Sequence, residues 1–245
     1  MNVLTALLAG VAGYLIGSIS FSRILIKIRA PDVDVTSTIE HKISGSDTVF
    51  ASSSTGATAA RFQLGAKFGC LAAILDSIKA VIPALVLRLW FPEQLYYLIA
   101  ATMVIIGHNY PVCYGFEGGR GLSTIYGALF VLDWVGVLVT NTIGLLLGSL
   151  LGQVLLMRWA GLVLMIPWIW FRTQDFTKLG FVLVANALFW IAMLPELKQY
   201  FHLRKTGELP DEEEVAEFMG MGGVYRYVQR FNLLKILRKR ADEDK

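Results

Sequence analysis

The chain has 245 residues, of which 55% are hydrophobic and only 17% charged, where a soluble domain carries about 25% charged residues. That balance excludes an ordinary soluble enzyme and predicts a polytopic α-helical membrane protein with stretches long enough to span. A net charge of +3 gives no case for nucleic acid.

The first apolar segment covers residues 3–22. It lacks the basic start and cleavage site of a signal peptide and reads as a retained span. Gly13 and Gly17 form a GxxxG pair, whose default meaning is close helix packing. Arg23, Lys27 and Arg29 follow, so the positive-inside rule puts the N-terminus outside and this end in the cytoplasm. Residues 30–66 are the longest polar stretch. A turn signal at Ser44-Gly45-Ser46-Asp47, between residues 39–43 and 48–51, predicts a small hairpin. Next comes Ser52-Ser53-Ser54-Thr55-Gly56-Ala57-Thr58, with Arg61 beyond it. A hydroxyl- and glycine-rich loop leading to an arginine suits phosphate oxygens; a polar linker has the same composition.

The second span, residues 68–91, contains Asp76 and Lys79, one turn apart on the same face. Ionisable groups inside a membrane helix are costly and point to function, with a structural ion pair as the alternative. A third span at 95–106 leads to Gly107-His108-Asn109-Tyr110-Pro111-Val112, then Phe116-Glu117-Gly118-Gly119-Arg120-Gly121-Leu122-Ser123-Thr124. Here charge, histidine, proline and clustered glycine interrupt an apolar background. Gly118, Gly119 and Gly121 allow close backbone approach to a ligand. Arg120 precedes a helix start and is suited to two parallel hydrogen bonds with a phosphate. The competing reading is an interfacial turn with Arg120 facing lipid headgroups.

Apolar runs at 122–139, 142–157, 159–171 and 179–195 bring the expected total to about seven spans, with breaks anticipated near Asp133 or Arg158 and the C-terminus in the cytoplasm. Arg172 and Lys178 then fall outside, against the rule. Arg158 reads as a headgroup anchor or a site residue. Residues 1–208 form the expected membrane domain and 209–245 a charged cytoplasmic tail. The tail has an acidic patch, a hinge at Gly220, Gly222 and Gly223, and a basic amphipathic helix over 224–240 with Val224, Tyr227 and Val228 on its apolar face. Cys70 and Cys113 read as small buried hydrophobes rather than a disulfide or metal pair, and His41, His108 and His202 show no ligand spacing, so no metal site is expected. No internal repeat of the transporter kind is present.

The stretch 107–124 closely resembles the GHxFPV…FKGGKGVAT signature of the bacterial acyl-phosphate glycerol-3-phosphate acyltransferases, the PlsY type. Residues 14–21, Tyr-Leu-Ile-Gly-Ser-Ile-Ser-Phe, resemble that family's YLIGSIPFG opening. Residues 75–80, Leu-Asp-Ser-Ile-Lys-Ala, resemble its LDxxKG segment. The resemblance implies a seven-helix bundle in the bacterial inner (plasma) membrane. The site would lie at the cytoplasmic face, and no metal or other cofactor would be needed. The implied reaction moves an acyl chain from acyl phosphate to glycerol 3-phosphate, giving lysophosphatidic acid and phosphate. Implied catalytic residues are His108, Arg120 and Lys79. Implied phosphate-binding residues are Ser18, Ser54, Gly56, Thr58, Arg61, Asn109, Gly118, Gly119, Gly121 and Ser123. Arg120 stands where the family has lysine. Ser54 and Ala59 stand where its first polar loop has asparagines, and about a dozen residues are inserted before that loop. Two alternatives therefore stand beside the expected activity: a relative with a different acceptor, and a non-catalytic protein that binds lipid or a membrane partner.

Overall fold

In the computed structural model, residues 1–33, 39–42, 49–52, 55–207, 211–218, 221–228 and 232 are described. The fold is an all-α bundle. Its helices are α1 (Val3–Gly17), α2 (Phe21–Arg29), α3 (Ala57–Leu64), α4 (Ala66–Trp90), α5 (Tyr96–Asn109), α6 (Leu122–Leu151), α7 (Val154–Thr173), α8 (Phe176–Thr206), α9 (Glu212–Phe218) and α10 (Gly222–Val228). The expected hairpin is present: β1 (Ile39–Lys42) pairs antiparallel with β2 (Val49–Ser52), Ile39 opposite Ser52. Its predicted turn, like Ser54, lies outside the described residues.

Among the described residues, five segments are long and apolar enough to cross a membrane: Val3–Arg29, Ala66–Trp90, Leu122–Leu151, Val154–Thr173 and Phe176–Thr206. The outer faces of α1 and α4 fit that role. Leu4, Leu8, Val11 and Leu15, and likewise Ile74, Ile78, Ile82 and Leu89, stand exposed. Unbroken apolar stripes of this kind are solvated by lipid, not water. Cys70 and Cys113 also prove exposed, not buried. Cys70 belongs to the outer side of α4, and Cys113 to a 3-10 turn at Val112–Tyr114 that projects from the bundle.

The first expected span is divided. α1 stops at Gly17, and α2 restarts after Ser20, whose hydroxyl accepts from the Arg23 N–H as an N-cap. α1 lies along α5 at backbone distance, as the GxxxG pair predicted. A Cβ on Gly13 would stand 2.6 Å from the Ala100 carbonyl oxygen, and one on Gly17 would collide with the Val104 backbone. Gly107 answers from α5, facing the Tyr14 carbonyl. Gly17→Ala should therefore lower stability by about 1–3 kcal/mol, as overpacking does, although Ala is the better helix former. Gly180, with open space around it, is the control. Thermal melts that rise equally for both alanine variants would refute the close contact.

The break anticipated near Asp133 is present, whereas the helices run unbroken through 140–141 and through Arg158. Asp133 is non-helical (φ −156°, ψ 91°) and splits α6 into legs 122–132 and 134–151. Its carboxylate caps the second leg, accepting from the Gly136 N–H at 3.0 Å. The legs fold back on one another. Tyr126 and Asn141, seven and eight residues either side of Asp133, interact, whereas fifteen residues of straight helix would hold them about 22 Å apart. α7 lies against the second leg, Gly136 against Trp168, Gly144 against Gly161 and Gly148 against Met157. The next turn falls at Gly152 (φ 66°) and Gln153, so residues 142–157 are not one element. α1, α4, α5, the two legs of α6, α7 and α8 thus supply seven helical legs among the described residues.

Asp133 also accepts from Trp168 Nε1 at 3.0 Å and pairs with Arg172 at 2.8 Å. Lys178 pairs with Asp175, the N-cap of α8, at 3.3 Å. Burial opposes it, but backbone hydrogen bonds from Lys178 and Thr177 and the Lys178 ammonium hold the Asp175 carboxyl below its usual range. The two cations that broke the charge rule are therefore neutralised by local carboxylates.

Candidate functional site

The end of the bundle opposite Asp133 and Arg172 brings together α1, α2, α4, α5 and the loop before α6. Its centre is a buried triad. Lys79 Nζ lies 2.8 Å from Asp76 Oδ1, 2.8 Å from His108 Nδ1 and 2.7 Å from the Ile19 carbonyl oxygen. Asp76 and Lys79 are each only 3% exposed at the side chain. The one-turn spacing on α4 puts both on one face, and α5 delivers His108 to them. An ammonium is donor-only, so Lys79 must donate to Nδ1. His108 then carries its proton on Nε2, and Nε2 faces the loop: a Cβ on Gly119 would collide with it.

The glycine loop is built against the end of α5. The Gly119 N–H donates to the His108 carbonyl at 3.1 Å. Gly118 sits over the carbonyls of His108 and Asn109, and Gly121 (φ 77°) over the Asn109 side chain. These glycines are required by close packing and, at Gly121, by a left-handed backbone. Asn109 donates from Nδ2 to the Leu188 carbonyl of α8 at 3.3 Å. Phe116 holds φ 65°, uncommon for a bulky residue, where the loop turns back beside Pro111.

Arg120 is not a lone cation. Its Nε donates to Glu196 Oε1 at 2.8 Å, and Nη2 reaches the same oxygen. Glu196, on α8, is 7% exposed. Sequence reasoning missed it: the signal was one carboxylate just past an apolar run, next to the basic residues Lys198 and Arg204. Arg23 was read only as a topology marker. It donates to the Glu117 carbonyl at 2.9 Å and stacks over the Tyr114 ring at 4.6 Å.

The first polar loop also reaches the glycine loop. Thr55 donates from N to the Gly118 carbonyl at 3.5 Å, and its hydroxyl lies 3.4 Å from the Glu117 carbonyl. Ser22 donates to the Thr55 carbonyl. Gly56, buried, is the N-cap of α3, and Thr58 lies half-buried in its first turn. The other expected residues are placed apart from the triad. Ser18 is buried and donates back to Tyr14 at 2.9 Å, closing the end of α1. Ser123 offers its backbone carbonyl to the Ser77 hydroxyl at 2.9 Å. Arg61 points to the C-terminal segment, donating to the Glu217 carbonyl at 2.7 Å. Lys79, Arg120 and Arg61 thus engage Asp76 and His108, Glu196, and the Glu217 carbonyl respectively. Among the described residues no cluster of three His, Cys, Asp or Glu side chains is arranged to hold a metal.

Comparison with known proteins fits this geometry. Among curated relatives, the glycerol-3-phosphate acyltransferase of Mycoplasma mycoides subsp. mycoides is 35% identical over 139 residues, 54% of this chain and 49% of that protein. Glycerol-3-phosphate acyltransferase 1 of Oceanobacillus iheyensis is 31% identical over 150 residues, 56% of this chain and 66% of that one. The matches thus span between half and two thirds of these relatives' length. A crystal structure of PlsY, an integral membrane glycerol 3-phosphate acyltransferase, in its glycerol 3-phosphate form superposes with a TM-score of 0.66 at 24% identity, covering 83% of this chain and 93% of that one. Its lysophosphatidic acid form gives 0.65. That likeness shows a shared fold. The model of the family described as glycerol-3-phosphate acyltransferase matches residues 7–202, from α1 into the last turns of α8, and the chain belongs to that family.

Proposed function

We propose that the chain is a membrane acyltransferase that moves a fatty acyl group from acyl phosphate to glycerol 3-phosphate, releasing lysophosphatidic acid and inorganic phosphate, in the bacterial inner membrane. The observation that carries this reading is the loop 118–121 folded onto His108, with a guanidinium at Arg120 and a fixed N–H at His108 Nε2 facing the same turn. Both substrates carry phosphate, and the loop sets donors where phosphate oxygens would sit. Residues 1–208 are the catalytic membrane domain. The seven legs are seven crossings, with the N-terminus outside and the site end, rich in Arg23, Lys27, Arg29, Arg61 and Lys67, in the cytoplasm.

The chemistry needs no protein nucleophile, because the donor is a mixed anhydride with phosphate as its leaving group. The acceptor hydroxyl attacks the acyl carbon, the bond to the phosphate oxygen breaks, and the hydroxyl proton passes to the departing phosphate. His108 in this tautomer donates from Nε2 and does not act as the base. Lys79 and Asp76 hold the ring; Gly118, Gly119 and Gly121 admit the phosphate; and Arg120 binds it, joined by Arg61, with Gly56, Thr58 and Asn109 contributing to its seat.

His108→Gln keeps a donor near the Nε2 position, so its rate should fall by less than that of Arg120→Ala. After incubation with radiolabelled acyl phosphate alone, no acyl group should remain on the protein. A trapped acyl-protein, or a His108→Gln loss as deep as that of Arg120→Ala, would overturn direct transfer. The Arg120–Glu196 pair favours a second reading, a changed acceptor, because the carboxylate offsets charge that a dianion would use. A panel of phosphorylated and unphosphorylated polyols as acceptors separates the two.

A further inference from the structure

The family match stops at residue 202, yet the chain continues into a segment packed on the site end of the bundle. Ala216 of α9 is fully buried and Tyr225 of α10 is 6% exposed, both against Val154 and Met157 of α7, with Leu145 beside them. Glu212 accepts from the Val154 N–H at 3.0 Å, so a carboxylate caps the N-terminus of α7. That placement is favourable to the helix dipole. Asn232 is buried against Gly152 at the α6–α7 turn. Arg226 ties α10 to α9 through Glu217 at 2.7 Å and Glu213 at 3.4 Å.

This differs from the sequence expectation. α10 begins at Gly222, within the supposed hinge, and it packs through Tyr225 and the expected Val228, while Val224 and Tyr227 are exposed. The reason is local: Gly222 and Tyr225, one turn apart, let α10 close on α9, with Gly222 against the Glu217 side chain. The rest of the anticipated basic helix lies outside the described residues.

One contact joins the segment to the proposed site. Arg61 donates to the Glu217 carbonyl at 2.7 Å, so a cation from the phosphate loop is engaged by α9. Arg61 follows Gly56 by five residues of helix, a rise of about 8 Å, and Thr55 is bonded to Gly118.

We infer that the ends of α6 and α7 are a docking surface for the chain's own α9 and α10, and that docking holds Arg61 away from the phosphate it would otherwise bind. The segment is then an intramolecular brake on acceptor binding. The inference rests on the acyltransferase reading above.

The test is glycerol 3-phosphate binding, measured by calorimetry on the purified full chain in detergent. Three proteins are compared: wild type, Ala216→Arg, which cannot seat α9, and Ala216→Arg with Arg61→Ala. Arg226→Glu, a change at an exposed position, serves as a milder undocking variant. Both undocking variants should bind roughly tenfold more tightly, as one released charge-assisted contact allows, and Arg61→Ala should erase the gain. Affinity that is unchanged or weaker on undocking overturns the brake while leaving the acyltransferase intact. A gain that survives Arg61→Ala also overturns it. No binding by any of the proteins, with folding verified, overturns the functional reading and the brake together.

Discussion

Arg120→Ala is expected to lower turnover by about two to three orders of magnitude, the usual loss when a preorganised donor to developing charge is removed. Arg120 is the cation carried by the glycine loop itself, and Glu196 fixes the plane of its guanidinium through Nε and Nη2. The substitution also leaves Glu196, 7% exposed, without that cation, so part of the effect would be structural. Two further variants separate the terms. Arg120→Lys keeps the charge and should retain much of the rate. Arg120→Ala with Glu196→Gln should regain thermal stability without regaining turnover. Wild-type turnover by folded Arg120→Ala would reduce Arg120 to an interfacial anchor.

Lys79→Met is the second large effect. Lys79 joins a carboxylate, an imidazole and a backbone carbonyl in one buried cluster. Removing it leaves the Asp76 carboxylate uncompensated, at a cost of about 3–5 kcal/mol. It also frees the His108 ring to change tautomer or turn. Asp76→Leu together with Lys79→Met should restore much of the stability lost, because no lone charge stays buried. Turnover should remain low in the double variant, since nothing donates to Nδ1. Thermal melts and steady-state rates on both variants check this. Full activity in the stable double variant would mean the cluster is only structural.

Much of this arrangement could be read from the residues. The GxxxG pair announced the close approach of a second helix to α1, which the structure shows to be α5. Asp76 and Lys79 were visible as charges one turn apart in an apolar helix, and the loop 107–121 as polar and glycine-rich between two apolar runs. The sequence could not show where the charges go. Arg120 looked free because its partner, Glu196, lies 76 residues away and resembles an ordinary charge near a helix end. Arg61 looked like a site cation because nothing local reveals that α9 returns to it. The break near Asp133 was anticipated from a charge inside an apolar run, but the fold-back of the two legs was not. Hydropathy runs straight through residues 122–151, and one aspartate capping the second leg leaves no gap in an apolar profile. Exposure of Cys70 and Cys113 was misjudged on a similar ground, since in lipid an apolar neighbourhood does not mean an interior position.

The stoichiometry of phosphate release tests the proposed transfer of an acyl group to glycerol 3-phosphate. Purified full-length protein is supplied with acyl phosphate, with and without glycerol 3-phosphate, while released phosphate and lysophosphatidic acid are both quantified. The account predicts phosphate and lysophosphatidic acid in equal amounts, with release dependent on the acceptor. Phosphate released at the same rate without glycerol 3-phosphate, or no release with it, would contradict the account.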